Sequence, residues 1–134
     1  MALSTTTIIA GMAALFTINA MAAAPQPEPP VMSDGWQFTQ TDGAALYRAS
    51  CQGCHMPNGQ GAKGAGTYPA LANNPRVSAA TYVAYTVLKG RKGMPGFAWS
   101  MSDAQVAEVV NFVRSNFGNQ YAEPIDAAEV GKLR

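Results

Sequence analysis

The sequence Cys51-Gln52-Gly53-Cys54-His55 contains both cysteines and the one histidine of this 134-residue chain. On a helix, residues three and four positions apart lie on the same face, so the two thiols and the imidazole would be neighbours. Side chains of these types in this pattern can form a redox-active disulfide, bind a metal ion or attach a larger cofactor covalently. The choice depends on the cell compartment and on whether a distant residue completes the site.

The motif favours covalent attachment. A thioredoxin-like Cys-x-x-Cys follows a strand of a βαβ unit, and the sequence before Cys51 shows no such pattern. A structural zinc site needs four ligands, whereas this chain offers two cysteines and one histidine. Cys-x-x-Cys-His is the attachment signature of haem c, in which two thioethers hold the porphyrin and the histidine coordinates iron. The motif therefore predicts one haem c per chain, attached through Cys51 and Cys54, with His55 as an iron ligand.

Iron held by His55 on one face needs a ligand on the other face, or it stays open to small molecules. A second histidine is absent from the sequence, and methionine opposite histidine favours ferrous iron, as in electron-carrying cytochromes. Met94 is the predicted ligand, because it lies between Gly93 and Pro95 in a loop where no helix competes for its side chain. Met101 is interpreted as a residue that packs onto the next helix. Two further methionines, one beside the histidine and one in the N-terminal tether, are set aside: Met56 and Met32.

The first 22 residues have the composition of an export signal. They contain no charged side chain, and an apolar run from Ile8 to Phe16 is followed by small residues up to Ala22. We predict cleavage after Ala22; the alternative is a retained membrane anchor, although the run is shorter than the ~20 residues that cross a bilayer. Either way the remaining chain lies outside the cytosol, and the periplasm is the predicted location. Free thiols oxidise there unless they are consumed, as they are in a thioether.

The rest of the chain divides into a tether, a domain and a tail. Residues 23–38 are the predicted tether, because four prolines between Pro25 and Pro30 favour an extended backbone. Residues 39–121 are the predicted domain, with short helices, glycine- and proline-rich loops, and one long irregular loop over 56–77. Residues 122–134 are the predicted tail. The predicted helices run from a Thr41 or Asp42 cap to Cys51, from a Ser78 cap to Gly90, from the Ser102 capping box to Gly118, and over a shorter stretch beginning at Asp126.

In its motifs the sequence resembles the class I monohaem cytochromes c of bacteria, from about Trp36 to Tyr121. The segments that carry the resemblance are Gly43-Ala44-Ala45-Leu46-Tyr47 before the cysteines, Tyr68-Pro69-Ala70-Leu71, Gly93-Met94-Pro95-Gly96-Phe97 and Asn111-Phe112-Val113-Arg114. The resemblance implies an all-α cytochrome c fold, with three to four short helices and long loops wrapped around one covalently bound haem.

The resemblance also implies roles for residues outside the Cys-x-x-Cys-His motif. The Pro69 carbonyl would accept a hydrogen bond from His55, and Leu71 would join Pro69 among the haem-binding residues. Such a bond fixes the imidazole ring and strengthens it as an iron donor. The first helix is expected to cross the last one, and the contact residues would be Gly43, Tyr47, Val109 and Phe112.

An iron closed by His55 and Met94 transfers electrons without binding a substrate, so the sequence predicts a one-electron carrier and not an enzyme. By resemblance, its donor would be a periplasmic flavin- or quinone-dependent dehydrogenase, and its acceptor would be the respiratory chain, with a terminal oxidase as partner. Two alternatives stay open: a cytochrome c subunit held permanently in a dehydrogenase complex, and a haem protein whose open iron site binds small ligands.

The net charge of the chain indicates which kinds of binding partner to expect. A formal net charge of +1 gives no reason to expect nucleic acid, and membrane contact is expected only if the N-terminal segment is retained. Because haem supplies much of the core of so small a domain, the haem-free chain is expected to be largely unfolded. Four basic residues in the loops could steer an acidic protein to the haem edge: Lys63, Lys89, Arg91 and Lys92.

Overall fold

The computed structural model describes residues 35–134. The predicted signal segment, and all of the predicted tether before residue 35, lie outside this range. Within it the chain is mostly helical with long connecting loops, which confirms the predicted all-α class. The helices are α1 Gly43–Leu46, α2 Gln52–His55, α3 Ala80–Lys89, α4 Asp103–Ser115 and α5 Ala127–Gly131.

The first helix carries the cysteine motif at its end. Asp42 caps it by accepting a hydrogen bond from the Ala45 amide at 2.8 Å, which satisfies a backbone donor that has no partner within the helix. A π-helical turn over Tyr47–Cys51 then joins α1 to α2, so that the helical path continues from Gly43 to His55. The sequence pattern predicts a helix here but not its wider central turn.

The first helix crosses α4 closely at Gly43. A Cβ atom on Gly43 would lie 2.3 Å from the Glu108 carbonyl oxygen and 2.6 Å from the Phe112 Cβ, so only glycine fits between these backbones. One turn later the Tyr47 ring packs against Phe112 and Phe117, with ring centroids 5.7 and 4.8 Å apart. The expected contact of Gly43 and Tyr47 with the last long helix is confirmed at Phe112.

The beginning of α3 differs from the prediction. Ser78 does not cap this helix; it ends a 3₁₀ turn over Pro75–Ser78 that is itself capped by Asn74, and α3 begins at Ala80 without a side-chain cap. The reason is a distant contact, because the Ser78 carbonyl accepts a hydrogen bond at 3.0 Å from Arg114 on α4.

The predicted irregular loop over 56–77 contains a small hairpin. Strand β1, Ala62–Lys63, pairs antiparallel with β2, Thr67–Tyr68, and Ala62 lies opposite Tyr68. Two residues per strand are too few to produce a visible alternation of apolar and polar side chains, so this pairing could not be predicted from the sequence pattern.

The C-terminal segment packs into the same core as the helices. Both predicted capping boxes are present, at Ser102 on α4 and at Asp126 on α5. Val130 on α5 is fully buried, and Ile125 exchanges two hydrogen bonds of 2.9 Å with the Asn111 side chain on α4. Within residues 35–134, no helix has both the length and the apolar character needed to span a bilayer.

Candidate haem site

The cysteine motif lies at the junction of the π-helical turn and α2. Cys51 is the last residue of that turn, Cys54 lies on α2, and the helix ends at His55. Met56 follows with a φ angle of +66°, which turns the chain away from the helix. The Tyr47 hydroxyl donates a 2.7 Å hydrogen bond to the Met56 carbonyl, so that the buried aromatic cluster fixes the backbone directly after the histidine.

The two cysteines are not joined by a disulfide and lie in different surroundings. Cys54 is exposed, whereas Cys51 is partly buried against the hydrophobic core, and burial raises the pKa of its thiol. The Ser50 hydroxyl lies 3.3 Å from the Cys51 sulfur and opposes this rise. Two unpaired thiols one helical turn apart, followed by a histidine, fit the covalent attachment of a porphyrin.

His55 is buried and its ring is fixed by a backbone acceptor. Its Nδ1 atom lies 2.9 Å from the Pro69 carbonyl oxygen, and the side chain is 8% exposed. A carbonyl oxygen can only accept a hydrogen bond, so the ring proton belongs on Nδ1 and the lone pair on Nε2. This tautomer leaves Nε2 available as an iron ligand, and the structure brings His55 and Pro69 together as predicted.

The Pro69 peptide is held in place by tight backbone packing. Gly61 has a φ angle of +65°, and a Cβ atom there would lie 2.7 Å from the Pro69 carbonyl carbon. Leu71 is partly buried against the core; its amide donates to the Gly59 carbonyl at 2.7 Å, and its carbonyl accepts from Asn119 at 2.9 Å. The loop that carries Pro69 and Leu71 therefore has anchors on both sides.

Met94 lies in the loop between α3 and α4, within a tight backbone turn. The amides and carbonyls of Arg91 and Met94 bond to each other reciprocally, both at 3.0 Å. The Met94 side chain is partly buried against the hydrophobic core, as are Cys51 and Leu71. Met101, in contrast, is 3% exposed and belongs to the core itself, where it packs beside the Ser102 cap of α4.

Two arginines with many contacts were missed by the sequence-based prediction. Arg114 is buried, and its guanidinium donates to the carbonyls of Val77, Ser78 and Glu123. Arg134 contacts Asp103 and the backbone that follows Met94. Neither contact has a sequence signal, because the acceptors are mostly backbone carbonyls tens of residues away.

Comparison with known proteins agrees with this geometry. Residues 38–113 match the family model described as cytochrome c oxidase, cbb3-type, subunit III. The chain is 32% identical over 121 residues to cytochrome c-552 of Thermus thermophilus, covering 75% of this chain and 79% of that protein.

Larger dehydrogenase subunits are also similar to the chain. It is 35% identical over 104 residues to the gluconate 2-dehydrogenase cytochrome c subunit of Pantoea cypripedii, covering 69% of this chain and 24% of that protein. It is also 35% identical over 105 residues to the alcohol dehydrogenase (quinone) cytochrome c subunit of Gluconobacter oxydans, covering 69% and 22%. The chain thus spans about a quarter of the length of these subunits.

The family match covers more than half of the chain, and the relative from Thermus thermophilus, of comparable length, is itself a cytochrome c. Cys51 and Cys54 supply the two thioethers that attach one haem c. The chain therefore belongs to the class I monohaem cytochromes c, a family of electron-transfer proteins.

Proposed function

We propose that this chain is an exported one-electron carrier in which His55 and Met94 hold the haem iron from its two faces. The observation that carries the proposal is the hydrogen bond between His55 Nδ1 and the Pro69 carbonyl. This bond occupies Nδ1 of the imidazole, so that Nε2 is the nitrogen that can bind a metal. When bound, the haem supplies one iron that alternates between the ferric and ferrous states.

His55 acts as the fixed ligand. Its bond to Pro69 orients the ring and gives the imidazole more negative charge, which makes Nε2 a stronger donor. The ring is buried and the chain on both sides of it is held, by Tyr47 at the Met56 carbonyl and by the Gly61 amide at the His55 carbonyl. A ligand held this firmly changes position little between two oxidation states, which favours fast electron transfer.

Met94 is the better candidate for the second ligand than Met101. The Met101 side chain fills part of the hydrophobic core, so turning it towards a haem would open a cavity there. Met94 lies on a loop outside any helix, and its partly buried side chain meets the same core as Cys51 and Leu71. A thioether on the second face closes the iron to substrates, as a carrier requires.

The electron donor that we infer is a flavin- or quinone-dependent dehydrogenase in the periplasm, and the inferred acceptor is a terminal oxidase of the respiratory chain. The names of the similar subunits, from gluconate and quinone alcohol dehydrogenases, support the donor. Lys63 and Lys92 are exposed and have no acidic partner among the described residues, so they can meet an acidic surface. The uncharged N-terminal segment supports export.

A second candidate keeps the electron transfer but makes the chain a permanent subunit of such a dehydrogenase. The same relatives favour it, because their names describe subunits. Size-exclusion chromatography of native extract separates the two candidates. A carrier elutes near the mass of this chain, and a subunit elutes with a much larger complex that has dehydrogenase activity.

The ligand assignment is tested by spectra of the exported haem protein beside Met94→Ala and Met101→Leu. We expect the parent protein and Met101→Leu to be low-spin, with the weak red absorption band of ferric iron bound to methionine sulfur. Met94→Ala should lose this band, become high-spin and bind carbon monoxide rapidly once reduced. A band that persists in Met94→Ala, or that disappears in Met101→Leu, contradicts the assignment.

A further inference from the structure

We propose that Arg134 is a positioning residue for Met94, because it ties together the two ends of the loop that carries it. This loop, residues 90–97, is named the ligand loop; it lies between Lys89, the last residue of α3, and Ala98. The inference rests on the proposed role of Met94 as an iron ligand. It concerns how long the loop keeps that sulfur in place.

Arg134 contacts both ends of the ligand loop. Its backbone oxygen accepts a 2.7 Å hydrogen bond from Lys89 Nζ, at the first end. Its Nη1 atom donates to the Ala98 carbonyl at 2.5 Å, at the second end. One residue therefore joins two positions that are separated by the whole loop.

The same guanidinium also contacts the beginning of α4. Its Nη2 atom donates to the Met101 carbonyl at 2.7 Å, and its Nε atom forms an ion pair of 2.5 Å with Asp103. Asp103 is the first residue of α4 and Met101 is part of the buried core. The guanidinium thus fastens the end of the ligand loop to a helix that cannot move without disturbing the core.

Backbone contacts help Arg134 to close the base of the loop, and one of them is at Gly96, where a Cβ atom would lie 2.7 Å from the Leu88 carbonyl oxygen. Two backbone hydrogen bonds cross the base, from the Phe97 amide to the Val87 carbonyl at 2.9 Å and from the Ala98 amide to the Leu88 carbonyl at 3.3 Å. The turn around Met94 is stiff by itself, since Arg91 and Met94 bond reciprocally. Met94 therefore moves together with the turn that it forms with Arg91. The ligand loop would then open at its base, where its two ends meet.

Opening of this base is the step by which the Met94 sulfur would leave the iron. Hydrogen bonds from a charged donor are stronger than neutral ones, and the Arg134 guanidinium donates three of them, to Ala98 at the end of the loop and to Met101 and Asp103 just beyond it. Loss of Arg134 should therefore raise the rate of sulfur departure. Neither the attachment of haem nor the bond between His55 and Pro69 involves this residue.

The test is the rate at which added imidazole replaces the methionine ligand in the ferric haem protein, followed by loss of the red absorption band. Arg134→Ala removes the guanidinium and keeps the backbone oxygen that Lys89 contacts, so it tests the three guanidinium bonds. It is compared with Lys132→Ala, which removes a positive charge from the same segment at an exposed side chain. Asp42→Ala serves as a second control. It removes the cap of α1, and so lowers global stability without touching the ligand loop. Denaturant unfolding of all proteins accompanies the rates.

At saturating imidazole, where sulfur departure limits the reaction, we expect Arg134→Ala to react about three- to tenfold faster. Lys132→Ala and Asp42→Ala should retain the parent rate. An unchanged rate in Arg134→Ala overturns the inference, and so does an equal acceleration in Asp42→Ala, which would mean that only global stability matters.

Met94→Ala separates the two proposals. If it keeps the band, the ligand assignment fails and the inference fails with it. If it loses the band while Arg134→Ala keeps the parent rate, the inference alone fails.

Discussion

The Nδ1 atom of His55 lies 2.9 Å from the carbonyl oxygen of Pro69, fourteen residues further along the chain. Gly61 lies against the other side of that peptide. A Cβ atom there would come within 2.3 Å of the Tyr68 carbonyl oxygen and 2.7 Å of the Pro69 carbonyl carbon. The acceptor of the histidine bond is thus held in position by a residue that has no side chain.

Gly61→Ala should raise the reduction potential. The added methyl group pushes the Pro69 peptide from its place and weakens its bond to His55, so the imidazole becomes a poorer donor and ferric iron loses stability. A change of about 1 kcal/mol in that bond corresponds to roughly 40 mV for one electron. Redox titration of the haem protein measures the shift.

Gly64→Ala is the matched control, because Gly64 lies in the same loop and a Cβ atom there meets nothing within 4 Å. Its potential should equal that of the parent protein. Equal potentials for Gly61→Ala and the parent protein would show that the Pro69 bond does not tune the iron.

Gly43→Ala should lower the free energy of unfolding by about 2–3 kcal/mol, even though alanine is the better helix former. The new methyl group would lie 2.3 Å from the Glu108 carbonyl oxygen, and a backbone atom cannot rotate away as a side chain can. The two helices must therefore separate. Denaturant unfolding at neutral pH measures the loss, and a variant as stable as Gly64→Ala would contradict the close crossing.

Features that depend on neighbours in sequence could be predicted, whereas features that depend on distant carbonyls could not. Ser102 and Asp126 were recognised as caps, and Asp42 was one of two residues predicted for the first cap, because the amides that caps accept from lie three residues ahead. The Cys-x-x-Cys-His motif is equally local. Ser78 was wrongly predicted as a cap, because a cap and the end of a 3₁₀ turn look alike until the contact from Arg114 is known.

In the candidate site, too, the local motif could be predicted and the distant contacts could not. The bond between His55 and Pro69 was expected only from the family resemblance, since no pattern in the sequence relates residues fourteen positions apart across an irregular loop. The contacts of Arg134 were not expected at all. A surface arginine has the same appearance in a sequence whether it is solvated or bonded to four groups, and the partners of Arg134 lie 31 or more residues away.

Arg114→Leu should lower the free energy of unfolding by about 3 kcal/mol or more. The buried guanidinium donates to three carbonyls, of Val77, Ser78 and Glu123, and leucine leaves all three without these donors. Arg48→Leu is the control, because Arg48 is an exposed helical arginine, and its unfolding free energy should stay within about 0.5 kcal/mol of the parent value. Similar losses in both variants would mean that the buried contacts of Arg114 contribute nothing particular.

Tyr47 should make the folded protein less stable at high pH. Burial raises the pKa of its phenol to about 12, while an unfolded tyrosine titrates near 10. Below pH 10 both states are neutral; between 10 and 12 only the unfolded state ionises, so the stability from this group is lost as pH rises. The loss is about 1.4 kcal/mol at pH 11.

Tyr47→Phe isolates this contribution from other groups that titrate in the same range. The variant lacks the hydroxyl bond to the Met56 carbonyl at every pH, so it starts less stable than the parent protein. Between pH 8 and pH 11, however, the gap in unfolding free energy between the two proteins should narrow by about 1.4 kcal/mol. A gap that stays constant would show that the phenol ionises equally easily in both states.

Removal of both attachment cysteines should leave the chain largely without helix. Cys51, Leu71 and Met94 are only partly buried against the core, so the surfaces expected to face the haem remain incompletely covered without it. A domain of this size buries a smaller fraction of its surface than a larger domain does, and the binding free energy of a cofactor then becomes folding free energy. Far-ultraviolet circular dichroism of the Cys51→Ala, Cys54→Ala double variant should show most of the helical signal lost. Met94→Ala, which keeps both thioethers, should retain that signal. If the double variant has native helix content, the protein core is sufficient by itself, and the haem serves electron transfer without holding the fold.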